Sequence, residues 1–353
     1  MNISDIAKMA GVSPATVSRV LNGNARVKES TRQKVEEIIG NSNYSPNQIA
    51  RNLSNGCNRN VAYFAPDVEN PFFSKILHGI TGMANTLNYN IFMIGTDEDP
   101  ELEHRKLMDI NRSEFCGVII TPVAEDDAAT AAALKELSQS GLPIVLIDRD
   151  IQNGHYDGVF SDDENGAYEA VKLLICEGNR KIALISGPPA SRPGRKRKEG
   201  YLKALHEYGI PVRDDYIING GFKEDITYEA MKKLMALDDP PDSFFSSNNQ
   251  SAKGVLRYLK ENHIEIGRDV TLVTFDDIPE LVYAGIDITV VDRPVMEMGS
   301  EAMRLLDRRL QGRRGPNPEK GIGDDVIQRS IVKTSLIVRG SERIQRRKAK
   351  GKK

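Results

Sequence analysis

The chain opens with apolar positions at helical spacing. Ile3, Ile6, Ala7 and Ala10 fall on one side of a short helix that stops at Gly11. Ser13 then offers a capping hydroxyl and Pro14 suits a first helical turn. A second helix follows through Ala15 to Leu21 and ends at Asn22-Gly23; a third, Thr31 to Ile39, brings Val35, Ile38 and Ile39 to a small core. Two short helices across a glycine turn, closed by a third, predict a helix-turn-helix. In such a unit the start of the second helix faces base edges. Arg19 can pair with guanine, Thr16 with a base or a phosphate, and Ala15 with a thymine methyl. The competing reading is a structural three-helix bundle with a solvated arginine.

The next segment, Ser45-Pro46-Asn47-Gln48, carries a cap, a proline at the first turn and a glutamine at the third. A helix from Asn47 to Ser54 is too short to hold alone in water. Such a segment can order on DNA, with Leu53 wedged between base steps; otherwise it is a plain linker. From Asn60 onward the pattern changes. Short apolar runs (Val61–Ala65, Ile91–Gly95, Gly117–Thr121, Ile144–Asp148, then Ile182–Ser186, Ser243–Ser247, Val270–Phe275) alternate with helical patterns such as Phe73, Ile76, Leu77, Ile80, Met83 and Leu87. Strand-helix alternation predicts an α/β body of two doubly wound parallel sheets with helices on both faces.

Composition changes the picture mainly through charge. The net charge of the 353-residue chain is −2, but residues 1–60 hold eight Lys/Arg against four Asp/Glu. The tail from Ser341 holds seven against one, which leaves −12 on the residues between. A basic N-terminus on an acidic body points to a polyanion partner. Three scattered cysteines argue against a disulfide framework and fit a reducing cytosol. MNISDIAKMA lacks the features of a secretory signal, and no apolar run is long enough for a membrane span, so a cytoplasmic protein with no membrane association is expected.

The run Asp5-Ile6-Ala7 through Ala10-Gly11-Val12-Ser13 and Thr16-Val17-Ser18-Arg19-Val20-Leu21-Asn22-Gly23, followed by Tyr44 to Leu53, closely resembles the LacI/GalR family of bacterial regulators. Likeness continues at Asp67 to Phe73, Ile185 to Pro189, Thr274 to Asp277 and Val338 to Gly340, nearly the whole length. The resemblance implies a repressor of carbohydrate-utilisation genes, a homodimer on a palindromic double-stranded operator, and allosteric control by a small effector. It implies a DNA-binding domain at 1–46 and a hinge helix and linker at 47–60. A periplasmic-binding-protein-like body follows at 61–340, then a basic tail at 341–353, expected to be disordered and solvated or weakly attracted to DNA. One lobe is expected from 61–160 with 292–322, the other from 161–290 with 323–340. The expected DNA contacts are Ser13, Ala15, Thr16, Arg19 and Asn22, with Asn47, Ala50 and Leu53 on the hinge.

Ligands of open α/β sheets sit beyond the carboxyl ends of strands. Polar and aromatic residues recur there: Asn70, Phe72, Phe73, Asp148, Arg197, Phe222, Asn248 and Asp276. Carboxylates, amides and an arginine can grip hydroxyls while aromatic faces cover a ring, which suits a sugar, sugar acid, polyol, phosphosugar or nucleoside. The same Asp and Asn residues could be plain helix caps. Three positions depart from the family pattern: Asn249 stands where many relatives have Asp, and Thr274 where they have Gly. The third is the crowding of Arg192, Arg195, Lys196, Arg197 and Lys198, which reads as a solvated face or as attraction to an anionic effector. The alternatives fare worse. A secreted sugar-binding protein has no use for residues 1–54. No G-x-x-x-x-G-K-[ST], G-x-G-x-x-G or G-x-S-x-G motif suggests an enzyme, and the five histidines lack metal-ligand spacing, so no catalytic residue, cofactor or metal is expected.

Overall fold

The computed structural model describes residues 3–21, 27–40, 42, 59–314 and 326–344. The chain divides into two compact units, Met1–Asn58 and Arg59–Lys353. In the first, α1 (Ile3–Ala10), α2 (Pro14–Leu21) and α3 (Glu29–Gly40) enclose Ile6, Ala7, Ala10, Val17, Val20 and Val35. Gly11 has φ of +69°, the left-handed turn that lets α1 stop and α2 start. Asn22, Asn47, Ala50, Leu53 and the hinge helix lie outside the described residues.

The second unit holds two six-stranded sheets. The first has the order β2 (Asn90–Gly95), β1 (Asn60–Ala65), β3 (Gly117–Ile120), β4 (Ile144–Ile147), β5 (Asp157–Ser161), β11 (Arg329–Val332), all parallel. The second runs β7 (Ile217–Asn219), β6 (Ile182–Ser186), β8 (Ser243–Ser246), β9 (Thr271–Phe275), β10 (Thr289–Asp292), β12 (Ser335–Ile337), with only β12 antiparallel. Each sheet alternates apolar side chains to both faces, so each lobe has two cores. Helices α4 (Pro71–Leu87), α5 (Pro100–Met108), α6 (Ala128–Gln139) and α12 (Val295–Arg314) serve the first sheet. Helices α7 (Asp163–Cys176), α8 (Arg192–Glu207), α9 (Glu224–Met235), α10 (Asn249–Glu261) and the short α11 (Pro279–Tyr283) belong to the second.

The chain passes between the lobes three times: after β5, after β10 and between β11 and β12. The expected boundary near residue 323 is therefore wrong. β11 completes the first sheet beside β5, and the last crossing falls at Lys333-Thr334. The boundary at 340 also moves. Ser341 and Glu342 are buried; the Ser341 hydroxyl accepts from Thr289 N–H at 2.8 Å and donates to the Leu272 carbonyl at 2.5 Å, and the Glu342 carboxylate bonds the Thr289 hydroxyl. The basic segment from residue 345 lies outside the described residues.

α4 and α12 cross unusually closely in the first lobe. A Cβ on Gly79 would stand 2.0 Å from the Met296 carbonyl oxygen, and one on Gly299 would stand 2.2 Å from that of Ile76. Neither backbone can yield without separating the helices that roof the sheet. Gly299→Ala should cost at least ~1–3 kcal/mol of unfolding free energy in urea titrations. Gly312→Ala, on the same helix with nothing within 4 Å of its Cβ position, should be neutral or slightly stabilising.

Candidate effector cleft and DNA-reading helix

In the first unit Ser13, Ala15 and Arg19 are exposed and Thr16 is partly so, while Val17 and Val20 of the same helix are buried. The Ser13 hydroxyl accepts from Thr16 N–H at 3.2 Å and meets the Thr16 hydroxyl at 2.9 Å, capping α2. The start of α2 and Arg19 one turn on thus present one polar, basic face. The apolar spacing that buries Val17 and Val20 leaves these positions outward.

In the second unit all eight residues read from strand ends line one narrow cleft with a cavity of about 30 Å³, Asn70, Phe72, Phe73 and Asp148 from one lobe, Arg197, Phe222, Asn248 and Asp276 from the other. Asn70 and Asn248 are helix caps as well. The Asn70 side-chain oxygen accepts from Phe72 N–H at 3.1 Å, and that of Asn248 accepts from Ser251 N–H at 2.8 Å. The two readings of these residues hold together. Asp148, Phe222 and Asp276 have φ of 66°, 59° and 67°, left-handed conformations that side chains rarely adopt outside places where surroundings enforce them.

The strand-end reading missed Arg149 and Arg293, which also line the cleft. Arg293, 4% exposed, follows β10 on the second crossing. Its Nε and Nη2 donate to the two Asp276 oxygens at 2.8 and 3.0 Å, and its Nη1 donates to Asp148 at 2.6 Å and to the Ser161 hydroxyl at 3.1 Å. Its guanidinium carbon lies 4.2 Å from the Phe72 ring centre. Burial alone would lower the Arg293 pKa, but Asp276, Asp148 and Asp163 together raise it above its ordinary value. Arg197 is differently employed. Its Nε and Nη2 bond Asp163 at 2.9 and 2.8 Å, its Nη1 bonds the Ser247 carbonyl, and it stacks 3.7 Å from the Phe275 ring centre. Arg192 adds a third contact to Asp163 at 3.0 Å. Burial would raise the Asp163 carboxyl; the Arg197, Arg293 and Arg192 charges hold it below its ordinary value instead.

The departures from the family pattern resolve in structural terms. Asn249 Nδ2 donates across the cleft to Asn70 Oδ1 at 2.9 Å. That oxygen is fixed as an acceptor by the helix cap, so a carboxylate at 249 would set two acceptors face to face. Thr274 does not line the cleft: its hydroxyl bonds the Asn248 and Phe275 carbonyls at 3.2 and 3.1 Å. Arg195 and Lys196 are not there either. Arg195 pairs with Glu125 and Glu199, and Lys196 with Glu164 and Glu199, which removes them as an attraction for an anion in the cleft.

A model of the lacI family of bacterial regulatory proteins matches residues 2–47, and one of the periplasmic binding protein-like domain matches 171–341. Catabolite control protein A of Priestia megaterium is 33% identical over 309 residues, covering 87% of this chain and 92% of that protein. The chain belongs to the LacI family. As a LacI-family regulator it is a DNA-binding transcription factor with an effector-binding domain, not an enzyme. A probable HTH-type transcriptional repressor ExuR of Bacillus subtilis (strain 168) is 30% identical over 299 residues, 84% of this chain and 87% of the relative. Among solved structures, the transcriptional regulator CelR–cellobiose complex superposes with TM-score 0.71 at 26% identity, covering 97% of this chain and 99% of that one. The lac repressor dimer bound to operator and the anti-inducer ONPF gives 0.80 at 24% identity, with the same coverage, and supports the fold. Among the described residues no helix is long and apolar enough to cross a membrane.

Beneath the cleft, Arg149 grips Glu98 through both terminal nitrogens, at 2.8 and 2.6 Å. Nearby Glu103 is fully buried, accepting from Val123 N–H at 3.1 Å and the Thr130 hydroxyl at 3.0 Å. Burial pushes its carboxyl from 4.5 up to about 7, against those hydrogen bonds and the Arg149 charge. A folded state that holds this proton more tightly than the unfolded chain loses stability as pH rises from about 4.5 to about 7. Glu103→Gln keeps an acceptor for both donors and removes the titration. The stability of the variant relative to the native chain should therefore rise across that window in paired melts at pH 5 and pH 8; an unchanged difference would contradict the assignment.

Proposed function

We propose that this LacI-family regulator represses carbohydrate-utilisation genes in the cytoplasm, as a homodimer on a palindromic operator whose occupancy a small polyhydroxylated effector controls. The effector class is a sugar, sugar acid, polyol or phosphosugar. The observation that carries this reading is convergence: eight residues from six different segments and both lobes meet in one cleft, with aromatic faces beside polar groups. The relative solved with cellobiose supports it. On the DNA side Ser13, Ala15, Thr16 and Arg19 read the operator, with Asn22, Asn47, Ala50 and Leu53 as their partners.

The lobes touch at several points in addition to Arg293. Glu125 N–H donates to the Ala190 carbonyl at 2.7 Å, Arg195 pairs with Glu125, and Asn249 reaches Asn70. An effector can shift this closed arrangement only by as much as it prefers one lobe geometry over another. Couplings of about 1–3 kcal/mol change operator affinity roughly 5- to 150-fold.

Thermal unfolding of the full chain against sugars, polyols, sugar acids and phosphosugars tests the reading, since a ligand at about 100 times its Kd adds about 2.7 kcal/mol. A ligand that raises the melting temperature should also change operator affinity. Arg19→Ala should weaken operator binding by roughly 1–3 kcal/mol, with relaxed specificity at one base pair, and leave the thermal response to ligand unchanged. Operator titrations by fluorescence anisotropy read this out; uniform loss across operator variants would instead make Arg19 a phosphate contact.

A further inference from the structure

Asp148 and Asp276 are placed as receptors for neutral hydroxyls usually are: one from each lobe, each at a strand end, each held in a left-handed backbone conformation that aims it into the cleft. Both are already engaged, Asp276 through both oxygens and Asp148 through one. The Arg293 guanidinium lies between them, takes both oxygens of Asp276 and one of Asp148, and covers the Phe72 face on which a sugar ring would stack. A neutral sugar could take both oxygens of Asp276 only by displacing Arg293, leaving a buried guanidinium without that counter-charge, while Arg293 engages a single oxygen of Asp148.

A second observation concerns what is left unsatisfied. Arg149, 3% exposed, lines the cleft, and its buried Nε has no hydrogen-bond partner. Its guanidinium carbon is 5.9 Å from the Phe222 ring centre. Next in sequence, Lys223 is exposed on the cleft lining and forms no ion pair among the described residues. With the Arg149 terminal nitrogens held by Glu98, Lys223 is the cation of the cleft lining that has no ion pair among the described residues, and the Arg149 Nε is the buried donor left beside it.

Resting on the reading of the cleft as an effector site, we infer that Arg293 sets its specificity: it occupies the neutral-sugar position and makes the effector a sugar derivative carrying an acidic group, carboxylate or phosphate. Arg149 and Lys223 receive the acidic group, and Phe222 covers the ring between them. Arg293 also offsets part of the charge of the two aspartates, which would otherwise repel an anion more strongly.

The test pairs acidic ligands with neutral counterparts: galacturonate with galactose, glucuronate and glucose 6-phosphate with glucose, gluconate with glucitol. Each is titrated calorimetrically into the native full-length chain, Arg293→Gln and Lys223→Gln. The native chain should bind an acidic member about tenfold or more tightly than its neutral partner, and Arg293→Gln should erase most of that preference. The carboxylate and phosphate arms identify which acidic group is taken. Lys223→Gln, at an exposed position that does not threaten folding, should weaken the acidic ligand several-fold and leave neutral sugars unaffected. Native binding of a neutral sugar as tight as that of its acid would overturn the inference while leaving the small-effector reading intact. Full selectivity retained in Arg293→Gln would overturn the role of Arg293. Silence from every ligand with all three proteins would instead bring down the sugar-effector reading itself, and this inference with it. If Arg293→Gln fails to fold, the native preference and Lys223→Gln still decide the matter.

Discussion

The buried guanidinium of Arg293 touches both lobes and two of the crossings between them. It stands on the second crossing, reaches Ser161 at the end of the strand that leads into the first, and binds an aspartate from each sheet. Ion pairs removed from water contribute little net stability, because the desolvation cost offsets the attraction. What they do impose is geometry. Removing one member of such a set leaves the others charged and unpaired, at a cost of about 3–5 kcal/mol. The two lobes therefore have a defined closed arrangement in which every member of the set is satisfied, and any other arrangement must find new partners for three charges.

Around that centre the fold supplies rigidity in the places that aim the site. Apolar strands with cores on both faces hold the strand ends, and helix caps at Asn70 and Asn248 fix two amides by bonds to their own backbones. The close crossing of α4 and α12 at Gly79 and Gly299 keeps the helix that begins with Phe72 and Phe73 pressed on the first sheet. Packing of this density makes a lobe move as a body, so that a change at the cleft is expressed at the crossings rather than absorbed locally.

Much of this was legible beforehand. The helix-turn-helix declared itself because a three-helix core of this size must bury every apolar residue at helical spacing. The central strands were legible because both faces are covered, giving runs such as Val61–Ala65 and Ile144–Ile147. Most strands that escaped lack such runs: Asp157–Ser161 begins on a charge, Ile217–Asn219 has three residues, and Arg329–Val332 and Ser335–Ile337 are short edge strands with polar positions, whereas β10 was passed over despite its buried valines. The cleft residues found were those that follow recognised strands. Arg293 follows β10, which was not recognised, so the same rule could not reach it; its partners lie 17, 132 and 145 residues away. Arg149 was passed over although it directly follows Asp148. Long cations acquire meaning only from distant partners, and a charged run such as Arg192 to Lys198 divides in three dimensions into a buried member and solvated ones.

The claim that Arg293 ties the lobes can be tested without knowing the effector. Fluorophores or spin labels at Lys135 on α6 and Lys198 on α8, both exposed and in different lobes, would report the separation in the ligand-free full chain after replacement of Cys57, Cys116 and Cys176. The account predicts one narrow distance population in the otherwise native chain and a longer or broader one in Arg293→Gln. The same narrow distance in both proteins would contradict it, and would place the closure of the cleft in the contacts at its rim.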